Sequence, residues 1–135
     1  GKKTYNGGAM IDNIFKEIRK YPRIELKLNA KYKVLDYEQA FQFTRTHNIS
    51  AEGLCFESTD QLKPGIYVQL EVDLEDGNPP ISMVAEIRWV TEIVLNKQQK
   101  YINGVKIMSM PVKDEARFLK YYCDKIVEKL SAYLK

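Results

Sequence analysis

The sequence predicts an all-β domain, a barrel or a sandwich, with a short helix before it and a longer one after it. Three observations carry this reading. Between Ile24 and Met108, apolar residues recur at every second position in several short runs. Turn signals at Pro64-Gly65, Asp76-Gly77 and Pro79-Pro80 punctuate those runs. After Pro111 the apolar spacing changes to that of a helix. Short strands at this density favour a closed or stacked antiparallel architecture over a parallel sheet with crossover helices. A chain of 135 residues suits one such domain.

The elements follow in order. Residues 1–9 are polar and glycine-containing with no period, as in a flexible linker or a tag remnant. The domain then occupies residues 10–135. A short helix over 10–19 places Ile11, Ile14, Phe15 and Ile18 on one face, and Pro22 ends it. Residues 24–109 hold the strands. Ile24, Leu26, Leu28, Ala30, Tyr32 and Val34 alternate with polar residues as one half-buried strand. Phe41–Thr46, Gly53–Glu57, the run Ile66–Leu74, the run Ile81–Trp89 and Tyr101–Met108 supply five more. In the closing helix, 112–134, Leu119, Tyr122, Cys123, Ile126, Leu130, Tyr133 and Leu134 form an apolar stripe. That stripe needs a partner, either the open end of the barrel or a second copy of the chain.

Composition removes several function classes. The net charge is +3, from 21 Lys and Arg against 18 Asp and Glu, too mild for non-specific DNA or RNA binding. Basic residues are concentrated locally, with Lys16, Arg19, Lys20, Arg23, Lys27, Lys31 and Lys33 against Glu17 and Glu25. His47 is the single histidine, so a His-based metal site or a triad is poorly supplied. Glu71, Asp73 and Glu75 read as the wet side of a half-buried strand. No phosphate-loop, dinucleotide or C-x-x-C pattern occurs, and nothing pairs a nucleophile with its base. The sequence therefore predicts no enzyme, no metal and no cofactor. It contains no apolar run near the ~20 residues of a transmembrane helix and opens on no signal segment. Cys55 and Cys123 read as free thiols of a reducing compartment, and a cytoplasmic location is the expectation.

Two motifs carry chemistry. In Arg19-Lys20-Tyr21-Pro22-Arg23, two arginines lie four apart at the mouth of the first strand. Guanidinium binds phosphate oxygens or the O6 and N7 of guanine bidentately, and it stacks on bases. In Asn48-Ile49-Ser50-Ala51-Glu52-Gly53, between the second and third predicted strands, small polar side chains offer hydrogen bonds at a turn. Gly53 there permits a positive φ or a close approach of backbone to ligand.

In this order and in a β context, R-x-x-x-R followed by [D/N]-x-S-x-x-G resembles the signature of PilZ domains, the bacterial binders of cyclic di-GMP. Leu62-Lys63-Pro64-Gly65, Ala85–Val90 and Tyr101–Ile107 extend the likeness over most of Arg19–Leu130. The resemblance implies a six-stranded antiparallel split barrel with a C-terminal helix. It implies cyclic di-GMP on the outer face, held by Arg19, Lys20 and Arg23, with Asn48 and Ser50 hydrogen-bonding it and Gly53 leaving it space. Arg88 is an accessory candidate. Residues 19–23 would be a switch ordered by the ligand, passing a conformational change to a downstream protein partner or attached domain.

Two other readings stand beside this one. A PilZ-like barrel can serve as a protein-interaction module that binds no nucleotide. A small barrel binding RNA would need aromatic residues interleaved with basic ones on a wet face. Tyr32 between Lys31 and Lys33 echoes that pattern but falls on the predicted core face.

Overall fold

Alternating apolar residues become strands whose inward rows share one interior. They are β1 (Ile24–Glu25), β2 (Asn29–Val34), β3 (Gln42–Ile49), β4 (Gly53–Ser58), β5 (Tyr67–Val72), β6 (Ile81–Leu95) and β7 (Gln98–Ser109), followed by helix α1 (Val112–Tyr133). The computed structural model describes residues 23–133. The expected linker 1–9, the helix 10–19, and Arg19 and Lys20 lie outside the described residues.

All pairings are antiparallel. The strand order β3-β2-β5-β6-β7-β4 returns to β3 and closes a six-stranded barrel, to which β1 adds as an extra strand on β3. Closure pairs each of the six ring strands on both sides, while β1, among the described residues, pairs with β3 alone. The inward rows bury Ala30, Tyr32, Val34, Leu54, Phe56, Val68, Leu70, Val72, Ile81, Met83, Ala85, Ile87 and Val105. Each large aliphatic member contributes about 1.5–3 kcal/mol by leaving water. Tyr32 is among them at 3 % exposure, its hydroxyl hydrogen-bonded to Gln42 Oε1 at 3.1 Å. It offers no face to a nucleobase.

One predicted strand is broken in two. Ile24–Val34 alternates without interruption in sequence, yet Leu26–Leu28 leave the regular ladder between β1 and β2. The cause is Thr46 of β3, fully buried in front of that gap. Its hydroxyl donates to the Leu26 carbonyl at 2.5 Å and accepts from the Leu28 N–H at 2.9 Å. The buried Leu28 N–H and the partly buried Leu26 carbonyl, which lack ladder partners, are thereby satisfied. Flanking backbone bonds run from Leu26 N–H to the His47 carbonyl and from Thr46 N–H to the Leu28 carbonyl.

The β6–β7 hairpin extends beyond the barrel wall and turns at Asn96 and Lys97, both at positive φ (52° and 64°). That is the geometry of a two-residue turn matched to strand twist. Helix α1 sends Phe118, Tyr122 and Ile126 into the barrel core, with Cys123 and Leu130 partly buried against it; Phe118 is not in the predicted stripe, and Leu119, which is, lies exposed. Arg117 ties α1 to the loop before β6. Its guanidinium donates to both Asp76 oxygens at 3.0 Å and to the Pro79 carbonyl at 2.8 Å. Asp114, in the first turn of α1, accepts from the Ser82 N–H at 3.0 Å. No described helix is long and apolar enough to cross a membrane.

Candidate functional site

The Asn48–Gly53 motif does not lie wholly between strands: Asn48 and Ile49 end β3, Gly53 opens β4, and Ser50, Ala51 and Glu52 make the tight connection. The Ser50 N–H donates to the Gly53 carbonyl at 2.8 Å. The Ser50 hydroxyl meets both the N–H and the carbonyl of Gly53 at 3.1 Å. Ser50 and Gly53 thus close the turn upon themselves. Gly53 does not sit at positive φ. A Cβ there would strike the carbonyl oxygen of Val105, so the close approach glycine permits is that of β4 to β7. The expected space for ligand is not what demands glycine at this position. Two further ties hold the turn: the Ile107 N–H donates to the Glu52 carbonyl at 2.8 Å, and the Tyr122 hydroxyl hydrogen-bonds the Ala51 backbone.

Arg23 reaches this turn because β1 pairs with the end of β3, Ile24 facing Ile49 and Glu25 facing Asn48. Arg23, Asn48, Ser50, Glu52, Gly53, Leu54, Cys55, Trp89 and Val105 line one cavity of about 110 Å³ on the outside of the barrel. The floor is the buried thiol of Cys55. Burial pushes that thiol above the usual cysteine range, while the Arg23 charge and a hydrogen bond with Asn48 pull the other way. Both side chains therefore bear on the same floor atom. On the wall, the Arg23 guanidinium lies 5.8 Å from the ring centroid of Trp89, within cation–π range.

Among the expected site residues, Arg23, Asn48, Ser50 and Gly53 come together here. Arg88 does not line the cavity; it is exposed, and its guanidinium pairs with Glu86 at 3.3 Å. Trp89 stands there instead, and sequence reasoning missed it. Period two from Ile81 places Trp89 in the core row, but the register slips between Ile87 and Trp89. Ile87 pairs with Val105 and Trp89 with the adjacent Gly104. Arg88 is the extra residue of this bulge. Its insertion turns Trp89 to the outer face, beside Gly104 and Cys55 in neighbouring strands. A tryptophan following an arginine at the end of an alternating run is the only signal in the sequence, and it does not reveal the slip.

Larger clefts exist at the foot of α1, about 330 Å³ around Ala51, Met108 and Phe118, and beside Tyr32 and Tyr37, about 320 Å³. Among the described residues, neither is lined by an arginine. Chemistry rather than volume singles out the cavity at Arg23. It offers a guanidinium, an amide, a hydroxyl and an indole face, the groups that bind a planar, hydrogen-bonding anion. Among the described residues no cluster of His, Cys, Asp and Glu is arranged to hold a metal ion. His47 is engaged with Glu57 at 2.8 Å, away from this cavity.

A family model described as PilZ domain matches residues 17–123. The chain belongs to the PilZ domain family. Solved structures agree on the fold. The Bacillus subtilis inhibitor of motility MotI/DgrA is 18 % identical with a TM-score of 0.63, over 79 % of this chain and 50 % of that one. The PilZ domain of Escherichia coli YcgR, solved with c-di-GMP, is 15 % identical with a TM-score of 0.60, over 84 % of this chain and 95 % of that one. Borreliella burgdorferi PlzA, solved in complex with c-di-GMP, is 12 % identical with a TM-score of 0.60, over 91 % of this chain and 58 % of that one. The PilZ chain described here spans about half the length of MotI/DgrA. A search of the curated proteins found no match.

Proposed function

We propose that this PilZ domain is a cyclic di-GMP receptor, with the ligand on the outer barrel face over Arg23, Asn48, Ser50, Gly53 and Trp89. The observation that supports it most is convergence. Two segments separated by a whole strand pair, and carrying the two halves of the family motif, line one cavity, with an aromatic wall beside the guanidinium. At about 110 Å³ the cavity is far below the ~300 Å³ of an enclosing small-molecule pocket. It suits one base rather than a whole dinucleotide. The remainder of the ligand would be gripped by Arg19 and Lys20, which precede Arg23 in the chain.

In this reading a guanine edge takes two parallel hydrogen bonds from a guanidinium, the base lies against Trp89, and Asn48 supplies an amide from the barrel side. The phosphates meet the remaining positive charge. Binding orders residues 19–23, and the upstream chain or a partner protein senses the change. Relatives solved with c-di-GMP lend support, as does the absence of any paired nucleophile and base in the sequence.

Calorimetric titration of the chain with cyclic di-GMP tests the receptor reading, with cyclic di-AMP as the control. Saturable heat with cyclic di-GMP, weakened in Arg23→Ala, is expected. No heat would leave the fold as an interaction module. Hydrogen exchange over residues 16–24 tests the switch; equal protection with and without ligand would remove it.

A further inference from the structure

We propose that Gly104 is a positioning residue of the nucleotide site: its missing side chain, together with the bulge at Arg88, sets the indole of Trp89 flat against the barrel as a fixed wall. The proposal rests on the receptor reading above and assigns a role to a residue that does not itself line the cavity. Gly104 lies on β7 between Cys55 of β4, the cavity floor, and Trp89 of β6, the cavity wall. A Cβ built on Gly104 would overlap the indole, 2.6 Å from Cζ2 and nearer still to Cε2 and Nε1.

No other feature of the backbone asks for glycine at this position. Gly65 and Gly77 sit at positive φ; Gly104 does not. It stands in β7 opposite the slip in β6, paired on both sides, where glycine gives up side-chain packing and weakens a strand. What glycine provides is a flat place on the sheet. With a methyl group there, the ring must lift away from β7. Cavity and Arg23 guanidinium both adjoin that ring, so lifting it changes the space and the stacking partner offered to a base. The bulge and the glycine act as a pair. The bulge turns the indole outward, and the glycine lets it lie down.

Trp89 is the single tryptophan of the chain, so intrinsic fluorescence reports this ring alone. The experiment compares wild type, Gly104→Ala, Trp89→Ala and the double variant, each checked for cooperative unfolding. Gly104→Ala is expected to shift the emission maximum and raise acrylamide quenching. It should also weaken cyclic di-GMP binding by roughly 5- to 150-fold, the range that loss of a base–aromatic stack carries. In the Trp89→Ala background the same substitution should leave affinity unchanged, because the obstructing ring is gone. Should Gly104→Ala fail to fold, the double variant is expected to fold, and failure of both would overturn the proposal. Wild-type emission, quenching and affinity in Gly104→Ala would overturn it as well, as would an equal loss in both backgrounds. Absence of binding by the wild type would instead defeat the receptor reading, and the fluorescence comparison would still judge the role of Gly104.

Discussion

Thr46→Val is the substitution that best tests how the fold delivers Arg23 to the site. Valine matches threonine in shape, so the fully buried pocket for the side chain stays filled. What disappears is the hydroxyl that accepts from Leu28 N–H at 2.9 Å and donates to the Leu26 carbonyl at 2.5 Å. Each backbone group left unsatisfied costs about 1–3 kcal/mol, so the pair should cost roughly 2–4 kcal/mol after partial relaxation. Thr46→Ser keeps the hydroxyl and loses one methyl, which should cost about 1 kcal/mol. Urea denaturation followed by circular dichroism measures both. At this chain length each kcal/mol moves the melting temperature by roughly 3–5 °C, so Thr46→Val should melt well below Thr46→Ser. Because Arg23 directly precedes β1, the loosened β1–β2 connection should also weaken cyclic di-GMP binding in Thr46→Val. A Thr46→Val protein as stable as Thr46→Ser would refute the account of the split strand.

The other predictions address the site and the tether of α1. Arg23→Lys keeps the charge and loses the bidentate fork, so it should cost about 1–3 kcal/mol in cyclic di-GMP affinity while stability stays near wild type; unchanged affinity in a titration would contradict the assigned role. Cys55 should alkylate with a pH midpoint above that of an ordinary thiol, since burial raises its pKa. The sign follows: stability from keeping this thiol protonated is complete below the unfolded-state pKa and is lost as pH rises through the higher folded-state pKa. Iodoacetamide rates in a Cys123→Ser background check this, and a midpoint at or below that of a free thiol would contradict it. Asp76 is held below the usual carboxylate range by its hydrogen bond with Arg117 first, and next by the Asn78 N–H. Its contribution is therefore present above the unfolded carboxylate pKa and lost as pH falls through the depressed folded value. An Asp76→Asn variant should show a flatter acid limb in unfolding curves than wild type, and coincident limbs would refute the tether's share.

Much of this was readable in the residues. Alternation at Ala30–Val34, Val68–Val72 and Ile81–Ile87 declares which side chains face inward, because a strand's side-chain period is two and water sorts the faces. The R-x-x-x-R and N-x-S-x-x-G segments declare a family and four of the residues that meet at the cavity. Helical spacing after Pro111 announces α1, although only packing shows that Phe118, Tyr122 and Ile126 are the residues it buries in the barrel.

Register belongs to the tertiary structure. Whether a strand slips by one residue depends on the partner strand across the ladder, and no local pattern in β6 records β7. So the unbroken run Ile81–Trp89 gives no notice that Trp89 turns outward. The run Ile24–Val34 likewise hides the gap that Thr46 fills from a distant strand. The residues alone specify the inward rows, the turns at Pro64-Gly65 and Asp76-Gly77, and the chemical kit of arginine, asparagine and serine. Only the closed barrel decided which of these meet, because bulges and long-range hydrogen bonds are set by pairing between segments far apart in the chain.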